Sequence, residues 1–165
     1  MGRAQLIWAA ALAALPAPLA AQDFDPIRVV ASVEQGDLLA VVASLEHTVV
    51  EQGAGDQTFV VATSRDDVTY VLFGTACGAN GDPGCQGVMM QVRLAMPPGT
   101  TPETLTKANA AQAAVTAWAD FDAKLLLFSR YVVLDEGVTM ANIRANVNVL
   151  LAALPAAYPI VAGQP

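Results

Sequence analysis

The chain has 165 residues and is both apolar and acidic, with 15 Asp and Glu against 8 Lys and Arg and a formal charge of -7. So few cations argue against nucleic acid or an anionic membrane surface as partner, since both are bound through clustered Lys and Arg. The length suits one domain with a substantial core.

Residues 1–21 read as a secretory signal peptide. Arg3 gives a positive start, Leu6 to Leu15 is an uncharged apolar run, and Pro16 to Ala21 offers small residues for cleavage after Ala21. The run is too short to cross a bilayer core of about 30 Å. No later apolar stretch is expected to reach spanning length either. The expected address is the periplasm. Residues 22–32, with Asp23, Asp25 and Pro26, form an extended lead-in. Residues 33–157 form the domain and 158–165 a C-terminal tail.

In the domain, Leu38, Val41, Val42 and Leu45 recur on one helical face between Val33 and His47. Thr48 to Glu51 is β-branched and predicts a short strand, and Gln52 to Asp56 a turn. Thr58 to Thr63 is a second strand and Ser64 to Asp67 a second turn. Val68 to Cys77 and Cys85 to Met96 then flank a loop rich in Gly, Pro, Asn and Asp, which predicts a β-hairpin. In its second arm Val88, Met90, Val92 and Leu94 alternate with Gln91 and Arg93, so one side faces the core and the other water.

Pro97 to Pro102 ends this block. Thr101 is a fitting N-cap with Pro102 at the first helical position. Leu105, Ala108, Ala111, Val115 and Trp118 predict a helix ending near Asp120. Lys124 to Leu134 predicts a strand buried on both faces, and whether 121–134 holds one strand or a hairpin stays open. Asp135 to Gly137 turns the chain. Thr139 caps a third helix through Met140, Ile143, Val147, Leu150 and Leu154, which Pro155 stops. The aromatics Trp118, Phe73, Phe128, Tyr70 and Tyr131, with Phe59 beside them, read as packing residues. Asn142, Asn146 and Asn148 mark either a solvated helix face or, for Asn142, a bond to the preceding turn. Helices stand at the ends of a strand block, so the class is α+β with an antiparallel sheet.

Candidate chemistry is sparse. Cys77 and Cys85 are the only cysteines. They could be a redox pair, but thiol oxidoreductases favour a two-residue spacing and no Lys or Arg stands in the loop to hold a thiolate. A structural disulfide across the hairpin mouth is the favoured reading. His47 is the only histidine, too few with two cysteines for a structural zinc site. Neither Asp66-Asp67 nor Asp135-Glu136 has the calcium-loop pattern. None of Ser32, Ser44, Ser64 and Ser129 lies in Gly-x-Ser-x-Gly. No catalytic residue, metal or cofactor is expected.

With these pieces placed, the chain resembles the YbjN family, described as bacterial sensory transduction regulators. The resemblance rests on Leu38 to Leu45 leading into Thr48 to Glu51, on Tyr70-Val-Leu-Phe73 followed by Cys77, and on Cys85 with Val88-Met-Met-Gln-Val. It also rests on Trp118 and on the turn Leu134-Asp135-Glu136-Gly137-Val138-Thr139-Met-Ala-Asn142. Ala119 and Glu136 depart from the family's Asn and Gly. The resemblance implies a fold like that of type III secretion chaperones, in the order helix, three or four strands, helix, one or two strands, helix. It implies structural roles for Trp118, Asp135, Gly137, Val138, Thr139 and Asn142, and a protein partner or self-association as a homodimer. The expected function is a non-enzymatic protein-binding, regulatory or chaperone-like domain. The alternatives are a thiol-disulfide protein using Cys77 and Cys85, or a structural envelope component.

Overall fold

In the computed structural model the chain runs through β1 (Val29–Val30), α1 (Gln35–Ser44), β2 (Thr48–Gln52), β3 (Phe59–Thr63), β4 (Thr69–Cys77) and β5 (Cys85–Ala95). It continues through α2 (Pro102–Ala111), β6 (Thr116–Asp120), β7 (Leu125–Val133), β8 (Val138–Thr139) and α3 (Met140–Val161). The structure describes residues 23–53, 57–81 and 83–164. The expected signal peptide lies outside the described residues, as does most of the turn expected at 52–56.

The fold is α+β, as expected. A 6-stranded antiparallel sheet has the order β2-β3-β4-β5-β7-β6, and β1 pairs with β8 beside it. The hairpin β4–β5 sits at the centre. Its two flanks are β3, which the Ser64–Asp67 turn joins to β4, and β7, which returns after α2 and β6. The strand region after α2 is a hairpin, β6–β7. Its turn is tied by Asp120 Oδ1, which accepts the Asp122 and Ala123 N–H groups at 3.1 and 2.9 Å.

One face of the sheet carries the core. Directly paired residues share a face, and the row Ala62, Tyr70, Val92, Phe128 and Ala117 is buried throughout. So are Val60, Leu72 and Met90 in the next row. Against them pack Leu38, Val41 and Val42 of α1 and Ile143, Val147, Leu150 and Leu154 of α3, in one cluster. Each Leu, Ile or Val buried this way contributes about 1.5–3 kcal/mol. The helices therefore cover one side of the sheet and leave the other open.

The cap residues act as the sequence implies. Thr101 Oγ1 accepts the Thr104 N–H at 3.1 Å, and Thr139 Oγ1 accepts that of Asn142 at 3.2 Å. Residues 26–33 are more than a lead-in. Val29 and Val30 pair with Thr139 and Val138, and Val33 exchanges both backbone hydrogen bonds with Cys85 at 2.9 Å.

Three expectations need correction. α2 stops at Ala111, and Val115 and Trp118 are not on it. Val115 and Ala117 are buried while Trp118 is 43% exposed, so the period there is two and Trp118 stands on a strand outside the core. The run Ala110 to Ala114 carries too little apolar contrast to distinguish the two periods. β7 is buried on both faces only from Leu126 to Ser129; Tyr131 and Val133 are exposed at 47% and 54%.

The third correction concerns α3. It passes Pro155 and Pro159 and ends at Val161, so the first half of the expected tail is helix. Ala157 and Val161 continue the buried stripe and hold the helix on the core despite two missing N–H donors. The stop is Gly163, at φ 69°: its N–H reaches the Ile160 carbonyl at 3.1 Å and that of Gln164 reaches Pro159 at 2.9 Å, a Schellman ending. At 22 residues α3 is also long and apolar enough to span a bilayer, contrary to expectation. Its eight buried positions place it as the core helix of the domain.

Candidate functional site

The open face of the sheet is built from the residues that alternate with the core rows. One row is Phe59, Phe73, Met89 and Tyr131. The next is Glu51, Val61, Val71, Gln91, Ser129 and Thr116. Arg93, Leu127 and Trp118 form a third, and Ala95, Leu125 and Asp120 a fourth. The face divides into two regions.

Over β3, β4 and β5 lies a shallow concavity of about 510 Å³, lined by Phe59, Val61, Thr69, Val71, Phe73, Gln91 and Arg93, with Glu51 at its margin. Its floor is apolar and half-buried. Its polar end is ordered: Arg93 Nε donates to Gln91 Oε1 at 2.7 Å, and Gln91 is only 5% exposed. Among the described residues no carboxylate bridges Arg93, whereas Arg28, Arg65 and Lys107 are paired with Asp37, Glu46 and Glu103.

Over β6 and β7 the same face carries exposed large apolar side chains. Trp118, Leu125, Tyr131 and Val133 project from the strands, with Phe121 at the hairpin turn. Tyr131 is fixed by the Thr75 hydroxyl, which donates to its oxygen at 3.0 Å, and it lies over Gly87, where a Cβ would come within 2.1 Å of that oxygen. A second, apolar groove of about 460 Å³ opens between the end of the sheet and α3, lined by Val68, Leu94, Leu154, Pro155 and Tyr158 among others.

The residues singled out in the sequence fall elsewhere. Cys77 and Cys85 are bonded at 2.07 Å across the hairpin mouth, as the structural reading holds. Cys85 is fully buried and Cys77 exposed. Asp135, Gly137 and Val138 form the corner into α3: the Gly137 N–H closes on the Leu134 carbonyl at 2.9 Å, Gly137 is at φ 88°, and Val138 pairs with Val30. The Asn142 side chain does not bond to the preceding turn. Asn146 Nδ2 donates to its Oδ1 at 3.0 Å and to its carbonyl at 2.8 Å. Asn146 in turn accepts from Arg130, which also holds the Ala114 carbonyl. Through residues 26–33 the corner and the disulfide share one end of the sheet; Trp118 stands apart from both.

His47 lies at the end of α1 with Nδ1 3.0 Å from the Tyr70 hydroxyl. Burial lowers its pKa, and Asp66 partly offsets that; burial pushes the Tyr70 phenol above the ordinary tyrosine range. Among the described residues no three His, Cys, Asp or Glu side chains converge on a metal position. The concavity itself was visible in the sequence only as the outward Gln91 and Arg93. Phe59 and Phe73, expected as core, are its aromatic end.

No protein-family model matches the chain, and no curated protein matches it. Among solved structures, a chain in the structure of the HopA1-SchA chaperone-effector complex is similar, at TM-score 0.50 and 14% identity. The similarity covers 76% of this chain and 97% of that one. At this identity the likeness is one of fold. The protein thus has a chaperone-like α+β fold, with one sheet face open.

Proposed function

We propose that this protein is a non-enzymatic, protein-binding module that acts in the periplasm as a chaperone-like regulator of the YbjN type. The observation that carries the reading is the exposed apolar set on β6 and β7. Trp118 and Tyr131, at 43% and 47% exposure, are the kind of large amphipathic side chains that anchor protein interfaces. They stand on a rigid hairpin with Phe121, Leu125 and Val133 around them, in a chain otherwise rich in solvated acids. Such a patch on a surface marks an interaction site. The similarity of fold to a chain of a chaperone-effector complex supports a protein partner.

The test is light scattering on the purified protein beside retention of periplasmic proteins, for the parent and for a Trp118→Ala, Tyr131→Ala variant. The expected result is a dimer or a specific retained partner that the variant loses. A parent that stays monomeric and retains nothing, or a partner that the variant keeps, removes the reading. Fractionation of the expressing cell tests the address: the chain is expected in the periplasmic fraction, shortened by its first 21 residues.

A further inference from the structure

The concavity over β3, β4 and β5 is separate from the exposed hairpin and differs from it in chemistry. We propose that it binds a single-chain amphipathic carboxylate of the fatty-acid type, with the alkyl chain along the floor and the carboxylate on Arg93. Its volume of about 510 Å³ lies within the range of small-molecule sites. From the row of Phe73 to the row of Thr69 and Arg93 is four residues of β4, about 14 Å at the rise of a strand. Along that distance the lining changes from aromatic (Phe59, Phe73) through aliphatic (Val61, Val71) to cationic (Arg93).

Charge selects the head group. Arg93 spends its Nε on Gln91 at 2.7 Å, which leaves its terminal nitrogens for a two-point grip on a carboxylate. Gln91, 5% exposed, holds the guanidinium in place before any ligand arrives. In a chain of net charge -7, Arg93 is, among the described residues, the one cation in the lining, and the one carboxylate there, Glu51, does not bridge it. Glu51 at the opposite margin disfavours a second anionic group there.

The floor selects the body. A sheet face offers side chains only, and here those are Val61, Val71, Phe59 and Phe73. A peptide laid on them would gain no backbone hydrogen bonds from the sheet face, whereas an alkyl chain needs none. An alkyl chain is therefore favoured over a polypeptide as the occupant.

The experiment is calorimetric titration of the purified protein with dodecanoate and with dodecanol, both below their aggregation limits, for the parent and for Arg93→Met. The parent is expected to bind one dodecanoate saturably and dodecanol at least tenfold more weakly. Arg93→Met is expected to weaken dodecanoate about tenfold or more, as for loss of one charged hydrogen-bonded pair, and to leave dodecanol unchanged. A circular dichroism melt of the variant checks that the fold is kept. A second variant, Val71→Gln, is expected to weaken both ligands by interrupting the floor. The proposal is overturned by absence of saturable binding, by equal affinity for acid and alcohol, or by indifference to Arg93→Met. It is also overturned if an extended acidic peptide, and not dodecanoate, binds with the Arg93 dependence. None of these outcomes touches the protein-binding reading, which depends on Trp118 and Tyr131.

Discussion

Asn109 pairs with Ala117 as a neighbouring strand would: its Nδ2 donates to the Ala117 carbonyl at 3.0 Å and its Oδ1 accepts the Ala117 N–H at 2.7 Å. β6 is an edge strand, so these are groups that the sheet leaves unpaired. One amide from α2 thus closes the edge and fastens the helix to it. Gln35 brackets Phe59 in a similar way, donating to its carbonyl at 2.9 Å beside the Gly53 N–H and accepting its N–H at 3.0 Å, just past the end of β2. Asn109→Ala should therefore destabilise by about 1–3 kcal/mol, since two part-buried backbone groups lose their partners. Urea unfolding should show a lower midpoint at unchanged slope. An unchanged midpoint would mean that water replaces the amide without loss.

Trp118 bears on both stability and binding. A buried Trp truncated to Ala costs about 3–5 kcal/mol. At 43% exposure on the open face, Trp118→Ala should cost only about 1 kcal/mol or less. The thermal midpoint should barely move while partner retention falls. A large drop in the midpoint would place the side chain in a core contact and weaken its use as an anchor.

The elements with unbroken local patterns were legible in the sequence. α1, the strands from β2 to β5 and the Thr101 and Thr139 caps follow from periodicity and from side-chain oxygens at the right positions. The errors arose where local pattern was weak or where a distant partner decides. Ala110 to Ala114 fits either period, so Trp118 could be strung onto a helix that had already ended. Pro155 looked like a stop because its local cost is visible, while the burial of Ala157 and Val161 that holds α3 together is not. The open face was hidden for the same reason. Phe59 and Phe73 are apolar at the right spacing for a strand, but nothing local says which side of the sheet the helices will cover.

The disulfide makes a separate prediction. Cys77 and Cys85 lie 8 residues apart in sequence, directly across the hairpin mouth. In the chain-entropy account a loop of about nine residues is worth roughly 2.5 kcal/mol. A Cys77→Ala, Cys85→Ala variant should lose about that much in urea unfolding. It should keep any partner and any dodecanoate binding, because both regions of the open face lie on other residues. Fully buried Cys85 should resist alkylation under mild reduction until the protein unfolds. Ready reduction and rapid alkylation in the native protein would instead favour thiol-disulfide chemistry.

His47 sets the pH dependence. Tyr70 is 1% exposed and its phenol is held protonated, so its hydroxyl hydrogen needs an acceptor inside the fold. Neutral His47 supplies one at Nδ1, 3.0 Å away, whereas the imidazolium would present a hydrogen there. Burial acts in the same direction, and the folded-state pKa is lowered from the model-peptide value of about 6.5. The unfolded chain therefore binds the proton more readily than the folded one. The stabilisation is complete above about pH 6.5 and is lost as pH falls through the folded-state value. Unfolding free energy should therefore begin to decline as pH falls below about 6.5, above the range where most carboxylates titrate. His47→Gln should flatten that decline. Asp66 raises the His47 pKa, so Asp66→Asn should lower it further and extend the decline to lower pH. Equal slopes in all three proteins would show that the Tyr70 hydroxyl finds its acceptor elsewhere.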